Sequence, residues 1–178
     1  MRQVLGDYNL HLIMRGEFLG SPELRYEIAK YLYHNRSMVV SPDCIVIGTG
    51  IEYLYSKLIG LLPEHAVYAV ENPGYRKIRL IYEELGVKWT WTAMAENGIH
   101  MGSLRSSQAT VVHTSPEHHY PLGTVMSARR RQELLKWLEE SEEHYIIEDD
   151  YDCEFRYNWA FDSGAFRSGI QAGVLFIM

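Results

Sequence analysis

Residues Ile146–Tyr157 read IIEDDYDCEFRY. Two isoleucines run into the acids Glu148, Asp149, Asp150, Asp152 and Glu154, broken only by Tyr151 and Cys153. Apolar strands that do not alternate with polar residues are buried on both faces, which is the habit of parallel sheets. A solvated acidic surface has no need of such a strand ahead of it. In open α/β sheets ligands bind beyond the carboxyl ends of the strands, and these acids stand at such an end.

Working outward, the same alternation of strand and helix recurs. Upstream of the HYIIE strand lies an amphipathic helix, Ser127–Glu140, with Ser127 as its cap. Before it comes the strand ATVVHT, a short helix near Met101–Arg105, and a polar loop around Glu96-Asn97-Gly98. Further back the pattern predicts a strand over Val87–Thr92, a helix over Tyr75–Leu85 and a strand VYAV closed by the turn Asn72-Pro73-Gly74. IEYLYSKLIGLL is helical and stops at Pro63, and CIVIG (Cys44–Gly48) reads as another strand. Pro22 opens a helix capped by Ser21, with Leu24, Ile28 and Leu32 on one apolar face. VLFIM, at the end of the sequence, is one more apolar run. The expected fold is a three-layer α/β domain with a mostly parallel sheet. Without repeat, low-complexity segment or linker, residues 1–178 read as a single domain.

Composition narrows the function. The 178 residues, 47% hydrophobic and 22% charged, suit a globular domain. A net charge of −6 speaks against direct binding of nucleic acid by this chain. Its one dense basic run, Arg129-Arg130-Arg131, reads as the solvated first turns of a helix. Cys44 and Cys153 fit neither a metal spacing nor a disulfide framework, which points to a reducing cytoplasm. No signal-peptide core or stretch of about 18 apolar residues is present, so no membrane segment is expected.

The chemistry-bearing residues gather at strand ends. Gly48-Thr49-Gly50 before a helix offers free N–H groups for an anion, or is a tight turn; it is no dinucleotide fingerprint, because Tyr53 stands where the third glycine would be. Asn72-Pro73-Gly74-Tyr75 is a turn with an aromatic residue behind it. His113, His118 and His119 read as solvated loop histidines or, less simply, as metal ligands, although their spacing matches no strong metal signature. Asp149 and Asp150 suit a divalent cation or a solvated loop. A metal-dependent hydrolase built on these acids and histidines would leave the glycine and NPGY loops unexplained.

Taken in order, GTGIEYLYSKLIGLL, YAVENPGYRKIR, VVHTSPEHHYPLGTVMSARRRQELLKW and YIIEDDYDCEFRYN resemble the aminotransferase-like domain of the MocR/GabR group. These bacterial proteins are similar to fold-type I, pyridoxal-phosphate-dependent aminotransferases, usually behind a winged-helix DNA-binding domain. The resemblance covers roughly Pro22 to Asn158. It implies pyridoxal 5′-phosphate as cofactor, with its phosphate on the N–H groups of Gly50, Ile51 and Glu52 and with Tyr75 lining the pocket. It also implies Asp149 on the pyridine nitrogen, Tyr151 on the ring's 3-oxygen, and His118 or His119 at that oxygen or against the ring. The Glu52 carboxylate would have to turn away from the phosphate or pair with a cation. Asp150 and Asp152 would bind backbone or arginine, and Glu154 would pair with Arg156. For the intact protein the resemblance implies an amino acid or amine as small-molecule partner and a homodimer.

The sequence also departs from that pattern. The family's Schiff-base lysine follows the next strand, whereas Lys30, Lys57, Lys77, Lys88 and Lys136 all precede Asp149 and the chain ends at Met178. Residues 158–171 lack the family's proline-containing pattern, and neither the small C-terminal domain nor a winged helix is included. The expectation is a truncated large domain without turnover of its own. The alternative is the effector- and cofactor-sensing part of a GntR/MocR-type transcription regulator.

Overall fold

The computed structural model describes residues 16–152 and 173–178. It comprises two compact units, divided in sequence between Thr49 and Gly50.

In the first unit, helix α1 (Pro22–Arg36) starts where predicted, because the Ser21 hydroxyl accepts the Leu24 N–H at 3.3 Å. Its buried face differs from the expected one. Leu32 is buried, but Leu24 is exposed, and Arg25 is the residue folded inward. The Arg25 guanidinium donates to the carbonyls of Pro42 (2.9 Å) and Gly20 (3.3 Å) and pairs with Glu17 at 3.1 Å. Those loop carbonyls need a donor, and a planar multi-donor head on an apolar stem supplies it. The CIVIG strand is corrected as well. Pro42–Cys44 forms a single 3-10 turn, and the residues after it join no ladder among the described residues: the Ile47 N–H donates to Leu19 O at 3.0 Å. β-Branched residues favour extended backbone, but a strand also needs a neighbour to pair with.

The second unit carries the alternation through. Helix α2 (Ile51–Ile59) leads to β1 (Val67–Asn72), α3 (Arg76–Glu84), β2 (Lys88–Ala95) and β3 (Gly98–Ile99). Then follow α4 (Met101–Ser106), β4 (Val111–Thr114), α5 (Ala128–Glu139), β5 (Tyr145–Asp149) and β6 (Val174–Ile177). The sheet order is β3-β2-β1-β4-β5-β6, with all described pairings parallel except β2 with β3. β2 is longer than its apolar core suggested, and the loop at Asn97-Gly98 proves to be a hairpin: β3 folds back antiparallel on Met94 and Ala95.

Two apolar layers cover the sheet. On one face Tyr55 and Leu58 of α2 and Ile78, Ile81 and Tyr82 of α3 pack on Tyr68, Val70, Val111 and Ile147. On the other, Leu104 of α4 and Leu134, Trp137 and Leu138 of α5 pack on Ala69, Val112 and Ile146. The doublets Val111-Val112 and Ile146-Ile147 each send one side chain to either layer, which explains why these strands do not alternate in hydropathy. Among the described residues no helix is long and apolar enough to cross a membrane.

The basic run opening α5 is only partly solvated. Arg129 is exposed, but Arg131 is buried, donating to Met126 O (3.1 Å) and Pro116 O (3.2 Å) and pairing with Glu117 at 2.8 Å.

Candidate cofactor site

Because their strands run parallel, Asn72, Thr114, Asp149 and Ile177 end β1, β4, β5 and β6 at one edge of the sheet. At that edge Glu71, Thr114 and Glu148 form one row across β1, β4 and β5, all buried. The Thr114 hydroxyl donates to Glu71 Oε1 at 2.6 Å.

Asp149 faces the α2/α3 layer and is 7% exposed. Its Oδ2 receives the Tyr55 hydroxyl at 3.4 Å and lies 3.6 Å from His113 Nε2. Tyr55 and His113 are themselves 2.5 Å apart through Oη and Nε2. Burial first, and the Asp149 charge second, raise the Tyr55 pKa well above the ordinary 10.0, so its hydroxyl keeps its proton. The sequence puts His113 in the ATVVHT strand yet groups it with solvated loop histidines; the structure has it as a buried residue of β4. Tyr55 is not singled out by the motifs. The available signal was its place four residues after Ile51, one turn into the helix that opens at the glycine loop.

At the start of α2, Gly50 has φ +139 and open space where a Cβ would stand. The first helical N–H groups beyond it have no intrahelical acceptor. Glu52 is turned onto Lys77 of α3 at 2.8 Å, which brings the first turns of the two helices together and neutralises the carboxylate. The loop entering α3 is tight. A Cβ on Gly74 would sit 2.2 Å from Glu71 O, a close approach only glycine permits. Tyr75, capping α3, is half exposed and packs edge-on against Tyr120 at 5.9 Å.

Tyr151 is half exposed, donates its hydroxyl to His118 O at 2.9 Å, and stacks on the His118 ring at 6.0 Å. Burial, then the charges of Asp152, Asp149 and Asp150, raise its pKa. His118 Nδ1 pairs with Asp152 Oδ2 at 2.5 Å. Asp152 therefore holds a histidine rather than an arginine or backbone group. Asp150 extends the ladder, its N–H donating to Ile177 O at 2.9 Å. His119 is not a loop residue in solvent. It is 2% exposed, and its Nε2 lies 3.3 Å from Glu71 Oε2 outside hydrogen-bond geometry. Of the two neighbouring histidines, then, His118 stands with Tyr151 and His119 with Glu71. Glu154 and Arg156 fall outside the described residues. Among the described residues no group of three or more His, Cys, Asp or Glu is arranged to hold a metal ion.

Comparison with known proteins matches this architecture. No family model matches the chain. It is 37% identical over 153 residues to the uncharacterized HTH-type transcriptional regulator YdeL of Bacillus subtilis, covering 86% of this chain and 33% of that protein. To the HTH-type pyridoxine biosynthesis transcriptional regulator PdxR of Corynebacterium glutamicum it is 34% identical over 138 residues, covering 78% of this chain and 30% of that protein. Among solved structures, Pyrococcus horikoshii kynurenine aminotransferase superposes with a TM-score of 0.85 at 20% identity, over 98% of this chain and 45% of that one. The chain thus spans about a third of the length of the curated relatives it matches. It belongs with the MocR/PdxR-type regulators, as a homologue of part of their aminotransferase-like domain, and has the fold of the fold-type I aminotransferase large domain.

Proposed function

We propose that this chain is a pyridoxal 5′-phosphate-binding region without turnover of its own. The observation that carries the reading is Asp149: a buried carboxylate at a strand end, with Oδ2 engaged by Tyr55. A pyridinium nitrogen is the partner such a carboxylate suits, because an unpaired buried charge is costly and a charge-assisted hydrogen bond offsets that cost. The residues fit the group. Gly50 leaves room beside the free amides of α2, and the Lys77 ammonium removes the repulsion that Glu52 would exert on a phosphate dianion. Tyr75 and Tyr120 offer apolar surface to a flat ring, and Tyr151 would donate its phenol proton to an oxyanion by turning it from His118 O. His119, directed to Glu71, supports the fold around the site rather than the ring.

When bound, the cofactor supplies an electron sink for carbanion chemistry. Asp149 would hold the ring nitrogen in its protonated form. The resemblance puts the Schiff-base lysine after the strand that follows Asp149, whereas Lys30, Lys57, Lys77, Lys88 and Lys136 of this sequence all precede Asp149. The sensing reading draws on the relatives, since YdeL and PdxR both carry the name of transcriptional regulators. In it the region binds cofactor and an amine or amino acid, within a homodimer, and reports occupancy to a DNA-binding domain.

Titrating the purified chain with pyridoxal phosphate, followed by cofactor absorbance and tryptophan fluorescence, tests the core of this. Saturable binding is expected, without turnover of any amino acid. Asp149→Ala should weaken it by about tenfold, the loss of one charge-assisted hydrogen bond. Equal affinity in the variant would sink the assignment of Asp149, and a wild-type chain that fails to bind would sink the cofactor reading itself.

A further inference from the structure

Tyr55, His113 and Asp149 come from α2, β4 and β5, lie 58 and 94 residues apart along the chain from Tyr55, and are all at least nine-tenths buried. Three polar atoms meet there: Tyr55 Oη, His113 Nε2 and Asp149 Oδ2, separated by 2.5, 3.4 and 3.6 Å. With Asp149 ionised, the proton count leaves two arrangements. If Tyr55 donates to a bare His113 Nε2, no proton from either residue faces Asp149 Oδ2, and two lone pairs confront each other across 3.6 Å. If His113 Nε2 carries the proton, it donates to Tyr55 Oη, and Tyr55 in turn donates to Asp149. Each group is then satisfied in one direction, as buried polar groups need to be. Among the described residues Tyr82 also packs on the His113 ring, edge-on at 6.4 Å; burial raises its pKa well above the ordinary 10.0, so it stays neutral. Glu71 adds its charge at longer range to Tyr55, again favouring the protonated phenol.

We infer that His113, Tyr55 and Asp149 form a directed hydrogen-bond chain in which Tyr55 and His113 are positioning residues for the Asp149 carboxylate. The chain fixes the rotation of the carboxylate by engaging Oδ2, and leaves Oδ1 to a protonated nitrogen heterocycle. This rests on the reading of Asp149 as the cofactor's counter-charge, but the chain exists in the free protein and is testable there.

The experiment has two arms on the full chain. In the first, 15N-resolved NMR of the histidine rings, with His113→Gln supplying the assignment, reads the state of His113 without any cofactor. A proton on Nε2 is expected, with its resonance displaced in Tyr55→Phe while thermal unfolding confirms that the variant is folded. A bare Nε2, or a resonance indifferent to Tyr55→Phe, overturns the chain. In the second arm, affinities for pyridoxal phosphate and for its carbocyclic analogue, which lacks the ring nitrogen, are compared. Tyr55→Phe should lower affinity for pyridoxal phosphate by about five- to tenfold and leave the analogue unchanged. His113→Gln, whose amide can donate in place of Nε2, should retain affinity, and His113→Leu should lose it. Equal losses for both ligands would make Tyr55 a packing residue and overturn the positioning role. A wild-type chain indifferent to the ring nitrogen would instead overturn the cofactor reading of Asp149, while the NMR arm still decides the chain.

Discussion

Tyr82 lies wholly buried beside Tyr55 and Tyr68, and its hydroxyl has no hydrogen-bond partner among the described residues. Such a group carries its desolvation penalty without compensation. Tyr82→Phe keeps the ring and removes the penalty, so it should raise stability by about 1 kcal/mol, seen as a higher urea midpoint at unchanged slope. A lower midpoint would reveal a partner for the hydroxyl. At this scale the sequence exposed Asp149, because a strand end and an acid cluster coincide in a few consecutive letters. Tyr55 stays hidden there, and His113 stands out only as one of three histidines around a strand end. The first looks like any aromatic on a helix, and only the folded sheet brings the two to the carboxylate.

The loop between β4 and α5 owes its shape to Arg131. Its guanidinium bridges Pro116 O and Met126 O, near the two ends of the loop, and also pairs with Glu117. Arg131→Ala would leave Met126 O without this donor and the partly buried Glu117 without its cation, while Pro116 O keeps the Met126 N–H at 2.8 Å, and should cost about 2 kcal/mol. Arg129→Ala, on an exposed side chain paired with Glu133, should change stability by less than about 0.5 kcal/mol. Chemical denaturation of both variants checks the contrast, and similar losses would contradict it. From sequence the two arginines are indistinguishable neighbours in one basic run; helical geometry alone sends one inward. The opposite lesson comes from Cys44–Gly48, where local letters favour a strand but no ladder partner stands among the described residues. For β1, β4 and β5 the apolar runs sufficed, because burial on both faces leaves a composition that no loop shares.

Across the whole molecule, one apolar layer contains three buried phenols. Burial raises the pKa of Tyr68 to about 12, and those of Tyr55 and Tyr82 lie well above 10.0. Above about pH 10 the unfolded chain ionises these groups and the folded chain does not. Their contribution is therefore complete below the unfolded pKa and is lost as pH climbs through the folded values. Tyr68 alone accounts for on the order of 2–3 kcal/mol. Urea unfolding between about pH 8 and pH 11 should show a steep fall, made shallower by Tyr68→Phe. A flat profile would contradict the burial of these phenols. The layered fold was legible from the alternation of segments, while the two-unit division at Thr49 was not, since no linker composition marks it.

The doublets that place one side chain on each face of the sheet have a further consequence. Slide β5 by one residue and Ile146 takes the place of Ile147, while Glu148 takes the place of Asp149; in β4 the same slide exchanges Val111 with Val112. Hydropathy scarcely distinguishes the sliding states, so oily contacts alone leave these strands close to degenerate. What separates them is side-chain length and hydrogen-bond geometry. The shorter Asp149 meets Tyr55 and His113, and Thr114 meets Glu71, only when the strands are in step. The polar row at the mouth of the sheet thus works as a vernier. The groups that would receive a ligand are also the ones that tell the polypeptide which of several nearly equivalent alignments is the native one.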